Sequence, residues 1–128
     1  MRAVLGLLDS RKFDVSGSIR LNGIELASLT ARQRRRHVAR CASLVFQDPT
    51  RSLNPTMRIG WQIAEAMYKS PAREHKLGKA EARERDPQLM RDVGIAAPEE
   101  RFFAYPHQLS GGMRQRVVIA IALSCAPR

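Results

Sequence analysis

Leu109-Ser110-Gly111-Gly112-Met113-Arg114-Gln115-Arg116 orders the rest of this sequence. Serine is a strong helix N-cap, so a helix is predicted to start at Ser110 and to run to about Cys125. Two glycines in a first helical turn each cost about 1 kcal/mol relative to alanine. That cost makes sense where backbone must come close to another group. No Asp or Glu answers the positive end of the helix dipole; Arg114 and Arg116 stand nearby instead. A helix entrance with free N–H groups, no bulk and neighbouring arginine suits an anion, above all a phosphate. The plainer alternative is a glycine-rich tight turn capped by a serine.

Working outward, Val117 to Leu123 is apolar on nearly every face, which predicts full burial. Upstream, Tyr105-Pro106-His107-Gln108 is a turn, and Pro98 opens a short helix through Phe103. Lys76 to Val93 is helix-like and charged but contains Pro87, so two pieces are expected, one ending near Asp86 and one spanning 87–93. Gly94 would close the second piece as a C-terminal cap. Ile59, Ile63 and Met67 recur at four-residue spacing, predicting a helix over Arg58–Lys69. Thr50 to Thr56, with Asn54 and Pro55, is expected to be loop. Ala42-Ser43-Leu44-Val45-Phe46, ended by Gln47-Asp48-Pro49, has the pattern of a buried parallel strand. Thr30-Ala31-Arg32-Gln33 has the form of a capping box, so a short helix should run to about Arg40. Asn22-Gly23 lies between two strand-like runs, Val15–Leu21 and Ile24–Leu26, and predicts a hairpin. Met1 to Leu8 looks like the tail of an apolar helix.

Taken together, Phe46-Gln47-Asp48-Pro49, Ser52-Leu53-Asn54-Pro55, Tyr105-Pro106-His107-Gln108 and the Ser110 segment resemble the nucleotide-binding subunits of ATP-binding cassette (ABC) transporters. They look most like the ATPase subunits of oligopeptide, dipeptide and nickel importers, and the likeness runs from Leu5 to Pro127. The implied fold is α/β, part of a P-loop NTPase with an antiparallel hairpin, one or few core strands and an α-helical subdomain. The implied division is a partial core over 1–49, a helical subdomain over 50–108, and the signature motif with its following helix over 109–128.

The resemblance also implies roles. Two ATPase subunits pair head to tail, and ATP held on one is covered by the signature helix of the other. Ser110, Gly111, Gly112 and Gln115 would then contact nucleotide bound to a partner ATPase subunit. Gln47 would be the Q-loop glutamine near magnesium and the attacking water. Its carboxamide can donate and accept while staying uncharged. The loop 48–57 would sense the transmembrane permease subunits. ATP and Mg2+ are the implied cofactors, available only with a complete partner chain. The implied location is cytoplasmic, peripheral at the inner face of the cell membrane.

Departures from the family pattern matter as much. No Gly-x-x-x-x-Gly-Lys-Ser/Thr occurs in the sequence; Gly78-Lys79 lacks the earlier glycine. In the family this loop would end just before Met1, and the strand with the catalytic Asp-Glu pair would follow Arg128. His37, His75 and His107 do not stand in for the family's later histidine switch; His37 and His75 are expected to be solvated. The family is an ATP hydrolase, but this chain lacks the phosphate loop and catalytic carboxylates, so no turnover alone is expected. Poor solubility or partial order is also expected, from unpaired strand edges beside Leu44–Phe46.

Composition sets outer bounds. The 128 residues fit one domain at most, and 44% apolar content argues against disorder throughout. The apolar run Val117–Leu123 has only seven residues, far below the roughly 18 needed for a bilayer span. Ala3–Leu8 is too short for an export signal and meets Asp9. Cys41 and Cys125 suit reduced, buried, inert thiols. Net charge is +10, with 18 Arg against 4 Lys. That excess and Arg32–His37 keep a nucleic-acid binder in view as the alternative function. Only 5% aromatic residues and the absence of a recognition motif speak against it, so no nucleic acid is expected. Gln47 and Ser110 are 63 positions apart, too close for the coiled coils of DNA-acting ABC proteins. A non-functional truncated gene product is the remaining alternative.

Overall fold

A computed structural model describes residues 16–45, 48–70 and 78–125, with backbone only at Pro49 and Thr50. β1 (Arg20–Leu21) and β2 (Ile24–Glu25) pair antiparallel, Arg20 opposite Glu25 and Leu21 opposite Ile24. Asn22 and Gly23 take φ of 48° and 78°, the two positive values that a tight primed turn requires. The strands are shorter than the alternation suggests, because Leu26 turns at once into a 3-10 segment ending at Ser28.

α1 (Ala31–Cys41) follows with the expected capping box. Thr30 Oγ1 accepts the Gln33 N–H at 3.3 Å, and Gln33 Oε1 accepts the Thr30 N–H at 3.0 Å. Residues 42–45 are irregular and exposed, so the buried strand expected over Ala42–Phe46 is absent there. The only strands among the described residues are the hairpin's own, and a lone segment cannot satisfy its backbone as a strand. Phe46 lies outside the described residues. α2 (Pro49–Ser52) occupies part of the expected loop.

α3 (Ile59–Lys69), α4 (Lys79–Asp92) and α6 (Gly111–Cys125) form the body, α3 packing on both others. Ile59, Ile63 and Met67 point inward at the predicted spacing and meet Ala82 and Met90 of α4 and Val117, Val118 and Ala120 of α6 in one core. Burying each large aliphatic side chain is worth about 1.5–3 kcal/mol. The first amides of α3 find carbonyls in the segment after α5 (Pro98–Arg101): Ile59 N–H to Ala104 O at 2.8 Å, Gly60 N–H to Phe102 O at 3.0 Å. Those are donors that a helix start leaves without an internal partner.

Three expectations need correcting. α4 is continuous through Pro87 rather than broken in two. Its inner side carries Ala82, Asp86 and Met90, four residues apart and fully buried, and the packing of Ala82 and Met90 in the core offsets the roughly 3 kcal/mol an interior proline costs. The helix ends where predicted, with Gly94 at φ 77°, the Gly94 N–H on Arg91 O at 2.8 Å and the Ile95 N–H on Met90 O at 2.9 Å. α6 is not buried all round: Ile119 is 36% and Leu123 50% exposed, one turn apart on the side away from α3 and α4. Finally, His37 is half-buried rather than solvated, its Nε2 2.9 Å from Leu21 O. The two cysteines are half-buried and unbridged. His75 and the 1–8 segment lie outside the described residues. No helix among the described residues is long and apolar enough to cross a membrane.

Candidate functional site

The entrance of α6 is built from the core outward. Leu109, buried, pins the chain just before the helix. A 3-10 turn over Pro106–Gln108 leads into it, with the Tyr105 N–H on Gln108 Oε1 at 2.7 Å and the Leu109 N–H on Pro106 O at 3.2 Å. The Tyr105 and His107 rings stack above this turn, 5.7 Å apart and 10° from parallel. Ser110 then caps the helix as the sequence predicts. Its Oγ accepts the Met113 N–H at 3.3 Å and its carbonyl the Arg114 N–H at 2.9 Å. An accepting serine hydroxyl still has its own proton to donate.

Gly111 and Gly112 are exposed, and a Cβ added to either would meet nothing within 4 Å. Their amides have no acceptor among the described residues, and no acidic side chain sits in the first turn. The entrance is therefore open, with two unanswered N–H groups at the positive end of a 15-residue helix. Gln115, half-buried, lies one turn on from Gly111 and Gly112, on the same face. Ser110, Gly111, Gly112 and Gln115 are thus brought together.

The neighbouring arginines behave otherwise than the sequence suggests. Arg114 Nε donates to Pro106 O at 2.8 Å, and the Arg116 guanidinium donates to Gly94 O. Both brace α6 against adjacent turns instead of lining the entrance. Gln47 lies outside the described residues.

One residue escaped the sequence argument. Gln62, on the inner side of α3, donates to Asn54 O at 2.9 Å and Met57 O at 2.7 Å, and accepts the Asn54 N–H at 2.9 Å. It fixes the far end of the loop 48–57 to the body. A glutamine between Ile59 and Ile63 on an apolar face was the available signal. The largest electrostatic anomaly among the described residues is elsewhere: burial in α4 pushes the Asp86 carboxyl up to about 8, and neither of its oxygens has a hydrogen-bond partner among the described residues. Among the described residues no three His, Cys, Asp or Glu side chains gather as a metal site.

A profile of the ABC transporter family matches residues 1–128. The chain belongs to the ABC transporter family. This ABC chain is 40% identical over 127 residues to the dipeptide transport ATP-binding protein DppD of Escherichia coli (strain K12), covering 98% of its own length and 37% of that relative. It is 39% identical over 127 residues to the DppD of Haemophilus influenzae, again 98% and 37% of the two chains. Similarity extends to the oligopeptide transport ATP-binding protein OppD of Bacillus subtilis (strain 168), 42% over 112 residues, 88% of this chain and 30% of the relative. The chain therefore spans only about a third of the length of these relatives.

Proposed function

We propose that this ABC chain contributes the covering half of an ATP site in a peptide importer. The open N-terminus of α6 carries the proposal: two glycine amides without an acceptor among the described residues, a serine hydroxyl, and open space where a Cβ would stand on either glycine. A γ-phosphate held on the phosphate loop of a second ATPase subunit is an anion of the right size and charge for it. Ser110, Gly111, Gly112 and Gln115 bind that nucleotide in trans; Gln47 serves near its Mg2+, which with ATP supplies the phosphoryl-transfer chemistry. The partial core (1–49), helical subdomain (50–108) and signature segment (109–128) divide the work. The loop 48–57, held by Gln62, meets the permease subunits and keeps the chain at the inner face of the membrane.

Ultracentrifugation with a complete ATPase subunit of a peptide importer tests this. Association that requires MgATP, and that Ser110→Arg or Gly112→Asp abolishes, is the expected result. Aspartate there favours the helix but repels phosphate, so folding is spared while binding is lost. ATP turnover by the chain unaided, or association indifferent to both substitutions, overturns the proposal.

A further inference from the structure

We infer that the arginine face of α1, formed by Arg32, Arg35 and Arg36, docks on a membrane surface of anionic phospholipid. The three side chains are exposed and stand at i, i+3 and i+4, so they are mutual neighbours on one side of the helix. The half-buried Arg34, His37 and Cys41 take the other side. His37 reaches Leu21 O, and the Asn22 amide donates to Cys41 Sγ at 3.3 Å, so the hairpin holds α1 from that side.

No described residue answers these three charges. α1 contains no acidic residue, and Arg32 sits in the first turn, where the helix dipole disfavours a cation. Like charges at this spacing repel one another. Elsewhere several described arginines are engaged: Arg51 with Asp48, Arg85 with Glu81, Arg91 with Glu99, Arg83 over the Trp61 ring at 3.8 Å. Arg32, Arg35 and Arg36 make no ion pair with any described residue. An arrangement that repels itself in isolation is relieved by an external polyanion.

The chemistry selects phosphate, because each guanidinium fork takes two oxygens of one group. Shape selects a surface. The face spans about 6 Å along the helix, at a rise of about 1.5 Å per residue, and is convex. Ala31–Cys41 offers no Phe, Tyr or Trp on which a base could stack, so single-stranded nucleic acid gains little there. A plane of phospholipid headgroups meets all three arginines without a matching groove, and a transporter-family chain has such a plane within reach.

Cosedimentation with vesicles tests the inference. The 128-residue chain is mixed with vesicles of phosphatidylglycerol and phosphatidylcholine in equal parts, and with phosphatidylcholine alone. Binding only to the anionic vesicles, weakening as salt rises, is expected. Replacing Arg32, Arg35 and Arg36 together by Gln should lower the partition on the order of 100-fold. Replacing Arg85, Arg91 and Arg101 by Gln removes the same charge from the body and should lower it far less. Circular dichroism of both variants separates loss of binding from loss of helix. Equal losses in the two variants would reduce the effect to net charge and overturn the inference. So would failure to bind the anionic vesicles, or tighter binding to duplex DNA at the same salt, which would assign the face to nucleic acid.

Discussion

In the body formed by α3, α4 and α6, Ile59, Ile63, Met90 and Val117 are wholly enclosed; in the arm formed by the hairpin and α1, the buried apolar side chains are Leu26 and Val38. The arm relies on polar latches instead. Glu25 accepts from the Ser18 hydroxyl and, at 2.9 Å, from the Ile19 N–H; the Leu26 N–H reaches Ile19 O at 2.8 Å; His37 reaches Leu21 O. A net protein hydrogen bond is worth about 1 kcal/mol, less than a buried aliphatic side chain. The body should therefore unfold as one unit when a cavity is cut into it, whereas the arm should open locally through its caps and ionisable groups.

The largest test of that contrast is Ile63→Ala. It removes a fully buried side chain from the centre of the body and should cost about 2–5 kcal/mol in urea denaturation. A loss below 1 kcal/mol would show that α3 is not the hub.

Next comes Asp86, which is polar yet sits in the body. Its carboxyl is raised from 3.8 to about 8 in the folded chain by burial. A raised folded value means that the contribution to stability is whole below about pH 4 and is lost as pH rises toward 8. Thermal melts across that window should fall with pH. Asp86→Asn should flatten the profile and raise stability at pH 8 by an amount on the order of 2 kcal/mol. An unchanged slope would place the titration elsewhere.

Smaller effects belong to the arm. Thr30→Ala removes the capping-box hydroxyl and should cost about 1 kcal/mol, visible as faster amide exchange confined to α1. Faster exchange in α3 as well would break the division into two units. Last, hydrogen bonds from Ser18 and Ile19 hold the Glu25 carboxyl below its usual range. Its support is present above the ordinary carboxylate value and disappears as pH falls through the lowered one. Hairpin amides should lose protection in acid, and Glu25→Gln should remove that dependence while leaving the body's melt unmoved.

Local chemistry was legible where a few consecutive residues dictate backbone geometry. Asn22-Gly23 gave the turn, Thr30 and Gln33 the cap, Ser110 the start of α6 and Gly94 the end of α4. The inward positions of α3 followed from a spacing of four. Illegible were features set by what lies across the fold. Pro87 breaks an isolated helix, but α4 stays whole because Ala82 and Met90 are packed into the core shared with α3 and α6. Leu44 and Val45 have a strand's composition, yet among the described residues no strand pairs with them. The apolar Val117–Leu123 run suggests burial on all sides, while α3 and α4 cover only part of it. At the candidate site, the motif announced the glycine-lined helix entrance, but its openness and the diversion of Arg114 and Arg116 to Pro106 and Gly94 depend on neighbours distant in the chain.

By itself the sequence determined the family and the positions of the hairpin turn, the helix caps and the glycine entrance, because each rests on φ preferences or on hydrogen bonds a few residues long. Only the tertiary structure decided which apolar faces are covered, which arginines are answered, and that Asp86 is enclosed without a hydrogen-bond partner among the described residues. Burial and charge compensation are properties of groups brought together from remote parts of the chain, and no local spacing encodes them.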